Sequence, residues 1–140
     1  LYNDFNIATV VRNANAFLAK EVIIYGSKKW DRRGAVGTHN YNRMKYFRES
    51  EFEKLTDYIR NFHIVCIDNV PGSVDISTCV WPEDSHTLLV FGQEQVGIPD
   101  ELINISNKVA YIPQYGSVRS LNVGTASGIA MHAYCSRIGI

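Results

Sequence analysis

Residues 108–123, KVAYIPQYGSVRSLNV, decide how the chain is read. Lys108 to Ile112 is a short apolar run ended by Pro113, which removes a ladder donor and cannot continue a central strand. Gly116 opens the loop that follows. Ser120 and Asn122 are both able to cap a final helix running from about Leu121 to Arg137. Strand, loop and helix in direct succession form the repeating unit of an α/β fold.

The same succession recurs upstream. Thr87 to Phe91 reads as an apolar strand ended by Gly92, and a short helix can start near Pro99. Ile64 to Ile67 reads as a buried strand; Asp68, Asn69, Pro71 and Gly72 then turn the chain into the weakly patterned stretch Val74 to Pro82. Ser50 followed by Glu53 suggests a capping box for a helix that buries Phe52, Leu55, Ile59 and Phe62. Glu21 to Tyr25 reads as a strand closed by Gly26. Before it, Ile7, Val10, Val11, Ala14, Phe17 and Leu18 recur at helical spacing over residues 4–18. Residues 26–48 lack periodicity and read as a long binding loop. These elements predict an α/β fold with a mostly parallel sheet flanked by helices, its ligands outside the carboxyl ends of the strands. The loops starting at Gly26, Asp68, Gly92 and Pro113 are the places to look.

At 140 residues the chain is expected to form one domain, residues 1–140. Hydrophobic residues at 46% and charged ones at 20% argue against disorder, and no apolar run approaches the roughly 20 residues of a bilayer span, so no membrane is expected. Nothing basic-then-apolar follows Leu1, and three widely spaced cysteines, Cys66, Cys79 and Cys135, point to a reducing, cytoplasmic setting. His39, His63, His86 and His132 show no ligand spacing, so no metal is implied.

A zero net charge hides an asymmetry. Lys28, Lys29, Arg32, Arg33, Arg43, Lys45 and Arg48 face a single acid, Asp31, between residues 28 and 48, whereas residues 49–140 carry 5 basic and 11 acidic side chains. Trp30, His39, Tyr41 and Tyr46 interleave the basic segment. Charge for phosphates and rings for bases are what RNA binding requires, though a solvated loop has the same composition.

Phe91 to Pro99 sets the carboxylate Glu94 between Gly92 and Gly97 straight after a strand. Glycine lets backbone groups come close to a ligand, so a side chain at Gly92 is expected to fill ligand space. In the last helix Gly124, Ala126, Ser127, Gly128, Ala130 and Ala133 permit close packing, which offsets the roughly 1 kcal/mol that each glycine costs relative to alanine.

Three segments taken in order resemble the SpoU/TrmH family of SPOUT RNA ribose 2′-O-methyltransferases: Asn6 through Arg12 and on to Phe17; Leu89 through Gly97 and Ile98; and Ile112, Pro113, Gly116, Ser120, Leu121, Asn122, Val123. The third is the most specific. The resemblance implies a carboxyl-terminal trefoil knot, a homodimer, S-adenosylmethionine as cofactor and structured tRNA or rRNA as substrate. Family members usually carry a strand before the first segment, and with five residues before Asn6 either that strand has been cut away or the amino end is unusual; Ala8 and Leu18 stand where glycine is frequent.

Gly92, Ile112 and Leu121, with Asn69, match the cofactor positions. Arg12 matches the arginine that the family sets at the ribose, Asn6 would position Arg12 or substrate, and Glu94, Ser120 and Asn122 would orient arginine, ribose or phosphate. A guanidinium stays protonated, so Arg12 reads as a stabiliser of the developing alkoxide at least as well as a base. Lys28, Lys29, Arg32, Arg33, His39 and Arg43 are the candidates for RNA contact. Two alternatives stand beside this reading: a non-catalytic RNA-binding knot module, and a Rossmann-type small-molecule methyltransferase. The latter needs a glycine-rich loop after the first strand, where basic residues stand instead.

Overall fold

A computed structural model describes residues 4–26, 43–92, 97–117 and 121–138. The chain divides into two compact units, Leu1–Arg60 and Asn61–Ile140.

In the first unit, helix α1 (Asp4–Ala16) buries Ile7, Ala8, Val11 and Ala14, the stripe that the helical spacing predicts. It ends in a Schellman turn: Ala19 N–H bonds Ala14 O at 2.8 Å and Leu18 N–H bonds Asn15 O at 3.2 Å. Leu18 occupies the left-handed position of that turn, at φ +59°, where glycine is the usual residue. Strand β1 (Glu21–Tyr25) matches the reading of the sequence, and Gly26 closes it at φ +95°.

Its partner corrects the reading of residues 26–48 as loop throughout. Strand β2 (Arg43–Phe47) pairs with β1 in parallel, from Glu21 opposite Arg43 to Tyr25 opposite Phe47. Its alternation is masked by charge, because Arg43 and Lys45 are exposed while Met44 and Tyr46 are half-buried. Val22, Ile24, Met44 and Tyr46 pack on α1. The opposite face meets helix α2 (Phe52–Ile59), with the Phe47 and Tyr58 rings 5.7 Å apart and Tyr25 and Phe52 at 6.3 Å. Lys45 Nζ lies 5.2 Å from the Tyr58 ring, and Tyr58 donates to Glu21 at 2.7 Å, which raises the phenol pKa.

The start of α2 also departs from the expected box. A 3₁₀ turn, Glu49–Glu51, precedes the helix, and the reciprocal bond runs from Arg48 N–H to Glu51 Oε1 at 2.7 Å. Lys54 Nζ is 3.3 Å from the same carboxylate, and these contacts hold the Glu51 pKa below its usual value. Leu55 and Ile59 are buried as predicted.

The second unit is built on a four-stranded sheet of order β4-β6-β3-β5, every pairing parallel: β3 is His63–Ile67, β4 Val74–Asp75, β5 Thr87–Val90 and β6 Lys108–Tyr111. The parallel pairing agrees with the sequence, divided here between two sheets. Period-two alternation gives the larger sheet two faces. Val65, Ile67, Leu89, Phe91, Ala110 and Ile112 pack with Ala130, Ala133 and Tyr134 of helix α4 (Val123–Ile138), over Ile76, Cys79 and Trp81. On the other face, Cys66 Sγ lies 4.0 Å from Leu102 O in helix α3 (Asp100–Ile105). Burial pushes the Cys66 thiol up to about 11.

Small residues bring α4 close to the sheet. Ser127 is fully buried and its hydroxyl donates to Gly124 O at 2.7 Å, so the polar group is satisfied inside the helix. At the far end, Arg137 donates to Ser77 O at 2.7 Å and Cys79 O at 3.2 Å, tying α4 to the 3₁₀ turn Ile76–Thr78. No described helix is long and apolar enough to cross a membrane.

Candidate functional site

The carboxyl ends of β6, β3 and β5 lie side by side, because Cys66 registers with Val90 and Ile67 with Ala110. With strands about 4.8 Å apart, the loops leaving them at Ile112, Asp68 and Phe91 span roughly 10 Å of one sheet edge. Three of the four predicted cofactor positions, Asn69, Gly92 and Ile112, therefore share this edge.

The loop after β5 shows why position 92 is glycine. A Cβ there would lie 2.5 Å from Gly97 O and from Ile98 N, and would also strike the Gly97 carbonyl carbon. The expectation that a side chain at Gly92 fills ligand space is corrected: the space belongs to the chain's own returning backbone. Gly97 is held at φ +76°, and a Cβ on it would meet Asp68 Oδ2 at 3.3 Å. Asp68 is itself pinned, its N–H donating to Ala110 O at 3.0 Å and its Oδ1 accepting from Asn69 N–H at 2.8 Å. Gly92 and Gly97 thus pinch together beyond the end of β5, the outermost strand of this edge. The sequence marks Asp68 as the start of a turn and of a ligand loop, but not its carboxylate's approach to Gly97 or the left-handed backbone there.

Ile112 and Leu121 are half-buried. Asn122 is the N-cap of α4: its Oδ1 accepts from Gly124 N–H at 2.8 Å and Thr125 N–H at 3.2 Å, so the helix starts at Val123. Glu94 and Ser120 lie outside the described residues, as do Lys28, Lys29, Arg32, Arg33 and His39.

In the first unit Arg12 is exposed on α1, whereas Asn6 is 5% exposed. Six residues of helix place the two roughly 120° apart and about 9 Å along the axis, so positioning of Arg12 by Asn6 has to run through a third group. Arg43 begins β2 on its exposed side. Among the described residues no cluster of His, Cys, Asp or Glu is arranged to hold a metal ion.

A parallel sheet with clustered loops at its carboxyl edge defines an α/β ligand-binding protein. The pattern of the SpoU rRNA Methylase family matches residues 1–132, and the chain belongs to that family. It is 29% identical over 135 residues to the tRNA (guanosine(18)-2′-O)-methyltransferase of Aquifex aeolicus, covering 93% of this chain and 63% of that protein. It is 31% identical over 91 residues to the mouse (Mus musculus) tRNA (guanosine(18)-2′-O)-methyltransferase TARBP1, covering 65% of this chain and 5% of that one. The AdoMet-bound rRNA methyltransferase structure from Sinorhizobium meliloti superposes with a TM-score of 0.85 at 26% identity, over 97% of this chain and 53% of that one. The A. aeolicus TrmH/SpoU tRNA modifying enzyme gives the same TM-score and identity over 99% and 72%. The chain thus spans less than two thirds of the Aquifex methyltransferase sequence and about half of the Sinorhizobium chain.

Proposed function

We propose that residues 1–140 form a single catalytic domain that transfers a methyl group from S-adenosylmethionine to a ribose 2′-hydroxyl in structured tRNA or rRNA. The observation that carries this is the family match across residues 1–132, which takes in both α1 and the two loops that leave β5 and β6, on either side of β3, at Gly92 and Ile112. The resemblance further supports a carboxyl-terminal trefoil knot, a homodimer and a cytoplasmic setting.

The residues at the sheet edge fit the cofactor's chemistry. An adenosine ring takes apolar contact and backbone hydrogen bonds, and this edge offers the half-buried Ile112 and Leu121 with the backbone at Asn69 and Gly92. When bound, the cofactor supplies an electrophilic methyl on a sulfonium. The chain's own work is to align a ribose hydroxyl and stabilise the charge that grows on it. Arg12 is the donor for that charge. Asn6, Glu94 and Ser120 orient ribose or phosphate, while Asn122 holds the start of α4 and can offer only its amide N–H groups to a ligand, since Oδ1 is committed to the cap. Lys28, Lys29, Arg32, Arg33, His39 and Arg43 carry the RNA by charge and contact.

The test is direct. Calorimetry should give S-adenosylmethionine binding without added metal, and label from methyl-tritiated cofactor should enter an unmodified tRNA or rRNA transcript as 2′-O-methyl nucleotide. Folded protein that binds no cofactor at millimolar concentration sinks the proposal. Label on a base rather than a ribose redirects it to another reaction.

A further inference from the structure

The loop leaving β6 climbs out of the sheet edge within a few residues. Ile112, Pro113 and Gln114 are half-buried, and Tyr115 is then 97% exposed, more than any other large hydrophobic residue described. Other tyrosines of the chain rest on neighbouring rings: Tyr134 packs edge-on against Trp81 at 5.2 Å, Tyr58 against Phe47 and Tyr25 against Phe52. Among the described residues Tyr115 makes no such ring contact. The next residue, Gly116, is exposed as well, and a Cβ on it would meet nothing within 4 Å. An exposed aromatic ring thus stands three residues beyond Ile112, on a loop that leaves the sheet edge carrying Asn69, Gly92 and Ile112.

We infer that Tyr115 is the platform on which a base of the RNA substrate stacks while its ribose is presented to the sheet edge. The inference rests on the RNA methyltransferase reading. A ribose inside a structured RNA reaches a recessed site only when its nucleotide or a neighbour is splayed out, and the base exposed in that way needs a new stacking partner. An aromatic face supplies one without regard to base identity. Tyr115 touches substrate in this role and has no part in holding the cofactor.

The experiment compares Tyr115→Ala, Tyr115→Leu and Tyr115→Phe with the parent chain on an unmodified tRNA transcript. Loss of one base–aromatic stack raises Kd and KM for the transcript roughly 5- to 100-fold in the alanine variant. The phenylalanine variant should stay within about twofold because it keeps the π face, and leucine should fall between, since it restores apolar area alone. Affinity for S-adenosylmethionine, melting temperature and sedimentation should match the parent in all three. Tyr115→Trp adds an optical reporter: its emission, corrected for Trp30 and Trp81, should be quenched by the transcript and not by cofactor alone. Unchanged transcript affinity in Tyr115→Ala overturns the role of the ring and leaves the RNA reading standing. A parent chain that binds cofactor and no transcript overturns both. A change in cofactor affinity means that the ring lies on the cofactor, and a change in sedimentation means that it packs against a second copy; either overturns the inference.

Discussion

Gly92→Ala tests the architecture of the sheet edge with the smallest possible perturbation. Gly92 has no positive φ, so alanine is conformationally acceptable and the whole cost is steric. Its Cβ would sit 2.5 Å from Gly97 O and Ile98 N, about 1 Å inside the 3.5 Å at which non-bonded atoms are comfortable. Both neighbours are backbone and Gly97 is held beside Asp68, so no side chain can swing away to absorb the strain. Overpacking of this kind costs about 1 to 3 kcal/mol. With an unfolding entropy near 2.1 cal/mol/K per residue, this chain loses about 3 °C of melting temperature per kcal/mol, and the variant should melt roughly 3 to 10 °C early. The loop displaced by about 1 Å should also bind S-adenosylmethionine some ten- to a hundredfold more weakly, given how steeply positional error is penalised in such sites. Gly116→Ala is the control, because its Cβ meets nothing within 4 Å; it should leave stability within about 0.5 kcal/mol. Differential scanning calorimetry without ligand separates the explanations. A Gly92→Ala protein that melts like the parent yet fails to bind cofactor would refute the backbone clash and restore the view that this glycine makes room for a ligand.

Leu18→Gly should stabilise the protein, since it relieves a left-handed leucine worth about 1 to 2 kcal/mol and gives back roughly half in unfolded-chain entropy; a lower melting temperature would contradict the Schellman geometry at φ +59°. His63 Nε2 has no hydrogen-bond partner among the described residues, and burial first, then Lys108, lower its pKa from 6.5. Its neutral form therefore stabilises the fold above about pH 6.5, and stability falls as the pH drops below that value, because the unfolded chain takes up a proton that the folded one resists. His63→Leu should show a smaller loss of melting temperature between about pH 7.5 and 5.5. Arg12→Ala, on an exposed position of α1, should leave melting and cofactor affinity unchanged and cut turnover roughly a hundred- to a thousandfold; lysine should rescue only partly, and near-normal turnover in the alanine variant removes Arg12 from the chemistry. Replacing Lys28, Lys29, Arg32 and Arg33 by serine should weaken tRNA binding and flatten its salt dependence by about 0.7 to 0.9 log units per lost phosphate contact; an unchanged slope makes the segment a solvated loop.

The strands that were legible are those whose local pattern and burial agree. Ile64 to Cys66 and Ile24 are buried, and β1, β3, β5 and β6 emerge within a residue or so of the apolar runs that announce them. Strand β2 was hidden because Arg43 and Lys45 carry the charges of a basic segment while occupying alternate positions of a sheet; Lys45 sets its Nζ over the Tyr58 ring, and only two half-buried residues, Met44 and Tyr46, remain to signal the period. The capping box was misplaced for a related reason. Ser50 and Glu53 satisfy the spacing on paper, but Glu51 already closes onto Arg48 N–H, and a 3₁₀ turn takes up the residues between.

The site divides along the same line. Glycine at 92 was recognised as a close approach, and only the fold shows that the approaching atoms are Gly97 and Ile98 rather than a ligand. Asn122 was open to two roles at once, as helix cap and as ligand contact, because capping and ligand binding draw on the same short polar side chains. The hydrogen bonds decide the share of each. Oδ1 accepts from Gly124 N–H and Thr125 N–H, so a side-chain contribution of Asn122 to a ligand would come from its N–H donors. A sulfonium cannot accept such a bond, whereas ribose, phosphate and carboxylate oxygens and the ring nitrogens of a base can. Asn122→Asp, which keeps the cap and removes the donors, should therefore preserve melting and impair transfer.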